Sequence, residues 1–214
     1  QPDARILAKH YTREISRAAE MAGDLPIEVI SGTHYESVLY RAKSVICEGA
    51  QGYSLGINSG FYPYTTSREC TPAQMASDCL IPLPDIATVI ATMRTFPIRV
   101  AHRYNAAGDK IGDSGPCYWD QQETSFESLE QEQELTTVTK LPRRIFTFSD
   151  EQCARAMNLI RPDAVFLNFA NYARDGQLRD IRDSINISAR AYNCGGVRYL
   201  GTGPTAADIT EVLA

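Results

Sequence analysis

The chain has 214 residues, 43% of them hydrophobic and 22% charged, with a formal net charge of -5. That balance is ordinary for a globular protein and speaks against disorder. It also argues against a general nucleic-acid or anionic-membrane surface, which needs a basic face to displace counterions, and no apolar run is long enough to span a bilayer. Only Lys9, Lys43, Lys110 and Lys140 are lysines, so any phosphate or carboxylate is met mainly by planar guanidinium forks. The six cysteines, Cys47, Cys70, Cys79, Cys117, Cys153 and Cys194, form no C-x-x-C pair, and His10, His34 and His102 fall in no ligand spacing near them. Zinc is therefore not expected, and the scatter reads as reduced, half-buried thiols of a cytosolic protein. The first residue is Gln1, which we read as a sign that residues precede it.

Residues 4 to 22 place Ile6, Leu7, Tyr11, Ile15, Ala18 and Ala19 at helical spacing, and the pattern stops at Gly23-Asp24-Leu25-Pro26, which predicts a helix with one buried face. A second helix is expected over Thr33 to Arg41. The apolar run Ser44-Val45-Ile46-Cys47 then reads as a buried strand that breaks into Glu48-Gly49-Ala50-Gln51-Gly52 and a polar stretch to Arg68. Gly49, Gly52, Gly56 and Gly60 with many amide and hydroxyl side chains suit a turn approached by a polar small molecule, although an ordinary polar loop fits the spacing too. Thr71-Pro72 opens a short helix over 72 to 79.

Thr88 to Ala101 is a long strand or a strand pair interrupted by Pro97, and Asn105 to Lys110 is a turn. Residues 113 to 137 are acidic and read as a solvated excursion; a carboxylate metal site is the weaker alternative. Thr136 to Arg144 then delivers hydroxyls and three cations before Ile145-Phe146. Such a loop can close over an anion, or be a strand edge decorated with charge. Residues 150 to 160 are helical, 163 to 168 form a buried strand, and 173 to 183 are a charged linker or helix. A strand at Val197 to Leu200, a turn at Gly201-Thr202-Gly203-Pro204 and a helical tail from Ala206 finish the chain. With no clear domain boundary, the alternation predicts a single α/β unit with a largely parallel sheet flanked by helices.

Glu48-Gly-Ala-Gln-Gly with Tyr62-Pro-Tyr-Thr-Thr-Ser resembles the signature of the adenylosuccinate synthetases. The likeness continues in order: Arg99-Val100 for a T-R-V-G strand end, Thr136 to Arg144 for a T-T-G-R-P-R-R loop, and Gly203-Pro204 for a terminal G-P. Ser114-Gly-Pro with Asp120-Gln121, Leu167-Asn-Phe-Ala-Asn-Tyr172 and the T-T-V-T-K loop are most similar to the phage 2-aminoadenylosuccinate synthetases. The resemblance implies an α/β, adenylosuccinate-synthetase-like fold and a C–N ligase that joins L-aspartate to dGMP at the expense of ATP. It also implies the cytoplasm of a phage-infected cell, a homodimer, and no nucleic-acid or membrane partner. By the same resemblance Gln51, Gly52, Thr66 and Val100 hold the nucleoside monophosphate. Thr136, Thr137, Val138, Thr139 and Lys140 hold aspartate, Arg143 neutralises charge in phosphoryl transfer, and Asn168, Asn171, Gly203 and Pro204 meet ATP.

Several departures bear on that reading. The family's L-D-I-D run is Leu55-Gly56-Ile57-Asn58 here, without either carboxylate, and Lys140-Leu141 stands where a glycine and an arginine are usual. The guanine-reading acid is replaced within Asn168-Phe169-Ala170-Asn171, which suits adenine over guanine in the energy donor. No G-D-E-G-K-G run occurs between residues 1 and 214. The resemblance thus covers the C-terminal portion of a family enzyme, and the ligands of the Mg2+ it implies are expected outside these residues. The alternatives are a non-catalytic nucleotide-binding remnant and an ordinary IMP-using adenylosuccinate synthetase.

Overall fold

Two helices dominate the first of two units, Gln1–Ile46, in a computed structural model that describes residues 3–23 and 30–212. Helix α1 (Ala4–Ala22) begins at Asp3, whose carboxylate accepts the Arg5 amide at 2.8 Å, and ends at Gly23 in a positive-φ turn. Helix α2 (Gly32–Arg41) is capped by Ser31, with Arg41 in the last turn where a cation complements the helix dipole. Both helices lie where the sequence predicts them. The predicted buried face does not: Ile6 is 66% and Tyr11 62% exposed, because nothing in the described part of this unit covers that stripe. Asp24, Leu25, Pro26 and the side chain of Ala19 lie outside the described residues.

The strand expected over Ser44 to Cys47 is absent. This stretch pairs with no other segment among the described residues, and Ile46 is 94% exposed. β-Branched residues favour extended backbone, but only a ladder partner makes a strand of it.

The second unit, Cys47–Ala214, is built on strands. Its elements in chain order are α3 (Pro72–Asp78), β1 (Ile90–Arg94), β2 (Ile98–Arg99), β3 (Arg103–Tyr104), β4 (Lys110–Gly112), β5 (Glu123–Thr124), β6 (Arg144–Phe146), α4 (Asp150–Ile160), β7 (Ala164–Asn168), α5 (Asp175–Ala191), β8 (Val197–Gly201) and β9 (Ile209–Glu211). The main sheet runs β1-β7-β8-β9, with β1/β7 and β7/β8 parallel and β9 antiparallel at the edge. It is the largely parallel, helix-flanked sheet expected. Val165, Leu167 and Val197 pack with Cys153 and Met157 of α4 and Ile181, Ile185 and Ala189 of α5. Each large side chain fully buried there contributes roughly 1.5–3 kcal/mol.

The parallel register aligns Arg94 with Asn168 and Leu167 with Leu200, so three strands end together, the usual place for ligands in an open α/β sheet. Pro97 splits the apolar run between β1 and β2, as its missing N–H demands. A smaller antiparallel sheet, β2-β6-β5, covers Phe96, Phe126 and Ile145.

Two expectations change and one alternative is decided. Residues 113 to 137 are not merely solvated, since Tyr118 and Phe126 are buried and Glu123 and Glu134 are paired with arginines. Of the two readings of residues 173 to 183, the helix holds from Asp175 onward, with Arg174 as its N-cap. The tail from Ala206 is one 3-10 turn followed by β9: Asp208 accepts from Thr205 N and Oγ1 and closes the turn, and Ile209 to Glu211 pair with β8. The six cysteines are free thiols, and burial pushes the Cys153 thiol up to about 12.

Candidate functional site

Gly52 starts a 3-10 turn, Tyr53–Leu55, whose last carbonyl accepts the Thr66 amide at 2.8 Å. That bond brings the two ends of the polar loop together, so Gln51 and Thr66 line one cavity of about 470 Å³ with Glu48, Arg68 and Asp78. The left-handed conformation falls on Gln51 (φ 71) and not on Gly49 or Gly52. A non-glycine residue there is uncommon, and such strain gathers at ligand sites. Its Oε1 is 3.8 Å from the Cys70 thiol, while its amide nitrogen carries no hydrogen bond among the described residues. Arg68 is ion-paired with Asp78.

The missing carboxylates of Leu55-Gly56-Ile57-Asn58 have a physical counterpart. Glu69 folds back to accept from the Asn58 and Ser59 amides and from Ser59 Oγ. A Cβ on Gly56 would fall 2.2 Å from Glu69 Oε2 and from Ser59 Oγ, so an aspartate at 56 would have to displace the Glu69 carboxylate from this nest. Desolvation works to raise the Glu69 pKa, but the Asn58 amide and then Ser59 hold it below the usual carboxylate range. A depressed carboxylate stabilises above its unfolded pKa and loses that contribution as pH falls. Amide exchange at Asn58 and Ser59 should therefore accelerate beyond its intrinsic pH trend between about pH 5 and about pH 3. Glu69→Gln should abolish that dependence, and an unchanged profile in the variant contradicts the assignment.

A second cavity, about 560 Å³, is lined by Val100, Ala101, His102, Arg103 and Tyr104 on one side and by Thr136 to Thr139, Leu141 and Arg143 on the other. Thr136, only 9% exposed, organises the loop: its Oγ1 is 2.6 Å from Thr139 Oγ1 and accepts the Leu141 amide at 3.0 Å. Leu135 bridges Pro142, and Lys140 turns the chain at φ 54 without lining the cavity. Thr137, Val138 and Thr139 stay exposed at the rim.

The two adjacent arginines have opposite surroundings. Arg144 is 8% exposed and bonded through all its nitrogens, to both Glu123 oxygens, Ser114 Oγ and Gly115 O. Arg143 donates from Nε to Leu135 O at 3.3 Å, and its terminal nitrogens meet no partner among the described residues. One arginine builds the fold and the other faces the cavity. Arg99, just before Val100, donates to the Tyr64 and Ser114 carbonyls and so ties the first loop to the second cavity's wall. Desolvation, then Arg144 and Lys110, holds His102 below the usual imidazole range against Glu123 and Asp113. Its Nδ1 is 3.0 Å from Asp113 Oδ1 but without hydrogen-bond alignment.

Asn168 ends β7 with its Oδ1 accepting the Phe169 amide, and Asn171 is exposed in the 3-10 turn Ala170–Tyr172. A Cβ on Gly201 would meet Asn168 Oδ1 at 2.5 Å, which keeps the ends of β7 and β8 in close contact. Gly203 and Pro204 follow in the turn closed by Thr202 onto Asp208.

The structure thus brings Gln51 with Thr66, and Val100 with Thr136, Thr137, Val138, Thr139 and Arg143. Gly52 shapes the first loop, whereas Lys140 stands outside both cavities. His102, Arg103, Tyr104 and Glu134 were not foreseen; the only sequence signal was that the first three follow Arg99-Val100 after one residue, Ala101. Among the described residues no group of three or more His, Cys, Asp or Glu side chains is arranged to hold a metal, and no helix is long and apolar enough to cross a membrane.

A family model described as adenylosuccinate synthetase matches residues 5–182. An N6-succino-2-amino-2'-deoxyadenylate synthase of Salmonella phage PMBT28 is 54% identical over 188 residues, 86% of this chain and 51% of that protein. Its counterpart in Acinetobacter phage SH-Ab 15497 is 47% identical over 213 residues, 99% of this chain and 54% of that one. Among solved structures, the cyanophage S-2L succinoaminodeoxyadenylate synthetase bound to dGMP and dATP as an energy donor superposes with a TM-score of 0.75 at 43% identity, over 90% of this chain and 54% of that chain. The chain spans about half the length of the curated relatives it matches.

Proposed function

The chain belongs to the adenylosuccinate synthetase family, and from that premise we propose that it is the C-terminal portion of a phage-type purine nucleotide ligase that joins L-aspartate to dGMP. In the proposed reaction N1 of the purine gives up its proton as the γ-phosphoryl group of ATP moves to O6, releasing ADP. The aspartate amine then attacks C6, loses a proton and expels inorganic phosphate. Gln51, Gly52 and Thr66 hold the nucleotide, with Val100 beside its sugar. The threonine loop through Lys140 takes the aspartate carboxylates, and Asn168, Asn171, Gly203 and Pro204 meet the ATP. The observation that carries this reading is Arg143, a guanidinium without a carboxylate partner among the described residues, on the cavity shared by Val100 and the hydroxyl-bearing loop. A free fork there suits an anion that arrives with substrate.

No group of carboxylates among the described residues is arranged to hold Mg2+. The same reading makes the protein a homodimer in the cytoplasm of an infected cell, with small molecules and not nucleic acid as partners. The relatives named after the 2-amino-2'-deoxyadenylate product support dGMP over IMP.

Phosphate release should decide it. A longer protein, with a glycine-loop segment of the family type ahead of residue 1, should release phosphate when ATP, dGMP and aspartate are all present. The 214 residues alone should not, because positioning and charge stabilisation supply most of phosphoryl transfer and part of both would be missing. Turnover by the short chain, or a preference for IMP with GTP, overturns the reading.

For binding, Gln51→Ala should weaken dGMP by about 1–3 kcal/mol through loss of a matched polar group. Its melting temperature should hardly change, since Gln51 is exposed and alanine meets the same left-handed backbone. A large stability loss with intact affinity would make Gln51 structural.

A further inference from the structure

Arg94 ends β1 at the carboxyl edge of the parallel sheet, outside both cavities. Its guanidinium forks onto the Glu134 carboxylate, Nη1 donating to Oε2 at 3.3 Å and Nη2 closely to Oε1, while Nε donates to Phe96 O at 3.3 Å. The same group stacks 3.5 Å from the centroid of the Phe169 ring, and Tyr172 Oη reaches Glu134 Oε1 at 3.5 Å. The two side chains are only 19% and 26% exposed. Bidentate, stacked and largely shielded, the pair has a geometric specificity that an ordinary surface ion pair lacks.

Each end of this pair fixes a different loop. The Glu134 carbonyl accepts the Arg143 amide at 2.8 Å and so closes the base of the threonine loop; Gln133 Nε2 bridges the Glu134 and Arg143 carbonyls. On the other side Phe169, under the guanidinium, is a left-handed residue (φ 57) that opens the turn Ala170–Tyr172. Thr95, fully buried beside Arg94, holds that turn by donating Oγ1 to Phe169 O at 2.6 Å and its amide to Asn168 O at 3.2 Å. Neither Arg94 nor Glu134 belongs to a hydrophobic cluster of the unit. One fork therefore joins two loops that no strand pairing connects.

We infer that Arg94 and Glu134 are positioning residues, a clasp that sets the threonine loop and Arg143 against the turn Asn168–Tyr172. The inference rests on the reading that these two loops hold aspartate and ATP, and it adds that the two sites are coupled through a pair touching neither substrate. Arg94→Lys keeps the charge but loses the fork, and Glu134→Gln keeps the shape but loses the charge.

In the catalytically complete protein, each substitution should raise KM for aspartate and for ATP together by about tenfold, as small misplacements remote from chemistry do. KM for dGMP and the melting temperature should stay within about twofold and about 2 °C of the parent, and the double variant should be no worse than the worse single one. KM values for aspartate and ATP that stay near the parent, a rise in only one of them, additive effects, or a uniform loss that includes dGMP and stability would each overturn the clasp. If Arg94→Lys does not fold, Glu134→Gln carries the test alone. A second measurement separates this from failure of the functional reading. In the 214-residue chain without substrates, exchange of the Arg143 and Tyr172 amides should accelerate together in Glu134→Gln. Should the parent show no turnover, that paired change still supports the clasp, and independent changes overturn it.

Discussion

In the longer protein that the proposed function requires, Arg143→Ala is expected to lower the rate of aspartate-dependent phosphate release by about a thousandfold, the scale for removing a cation that meets charge developing on a transferred phosphoryl group. Its effect on the melting temperature should be about 1 °C or less, because the side chain gives up one long hydrogen bond to Leu135 O. Arg144→Ala, one residue on, should show the opposite pattern. It removes a nearly buried guanidinium and leaves Glu123, Ser114 and Gly115 without their donor, a loss of about 2 kcal/mol once the partial exposure of Glu123 is allowed for. Thermal melts and phosphate-release rates on the two variants separate the roles. Equal stability losses, or full turnover in Arg143→Ala, would remove Arg143 from the proposed chemistry. Arg143→Lys should recover part of the rate, since a point charge replaces the fork incompletely.

The two arginines also show where reading the sequence ran out. Composition places both in the same cationic loop, and nothing in the pattern Pro142-Arg143-Arg144-Ile145 says which one turns inward. The answer depends on β6 pairing with β2 and β5: in that register Arg144 lies opposite Arg99, and its side chain reaches Glu123 on the neighbouring strand. Glu123 and Glu134 were lost for the same reason, hidden in an acidic run whose local character is that of a solvated loop. Long-range pairing ties two of its carboxylates to arginines, Glu123 to Arg144 and Glu134 to Arg94.

What local chemistry controls was legible. Thr71-Pro72 caps α3, Pro97 divides β1 from β2, and the apolar stretch before Asn168 is the central strand β7 with both neighbours parallel. Failures came where a segment needed a partner to declare itself. Ser44 to Cys47 has strand composition but no ladder partner among the described residues, and the final residues read as a helix because the turn closed by Asp208 was invisible until β8 offered an edge to Ile209. At the site, glycine spacing correctly marked the turn before Gly52, yet the strained residue is Gln51, a distinction that only backbone angles make.

The parallel strand pair that carries Asn168 depends on one glycine, and Gly195→Ala should be the most destabilising of the substitutions considered. A Cβ at Gly195 would stand 1.9 Å from Asp163 O and 2.2 Å from Asp163 C, with Ala164 N at 2.8 Å. These are backbone atoms at the start of β7, so no rotamer change relieves the overlap. The neighbouring bonds resist a shift as well: Gly195 N donates to Pro162 O at 2.7 Å, Asp163 N to Val89 O at 2.8 Å, and the Asp163 carboxylate accepts the Val89 amide at 2.7 Å. Making room means moving β7 away from β8 while Val165 and Val197 are fully buried against residues of α4 and α5. The expected loss is about 3 kcal/mol or more, a large fraction of the stability of an ordinary domain. Urea unfolding should show the midpoint falling with the slope unchanged. A loss below about 1 kcal/mol would mean that the start of β7 yields more easily than its packing and hydrogen bonds imply. Because the strain enters at Asp163 and β7 ends at Asn168, variants that still fold should also bind ATP more weakly than dGMP relative to the parent, which nucleotide titrations would read directly.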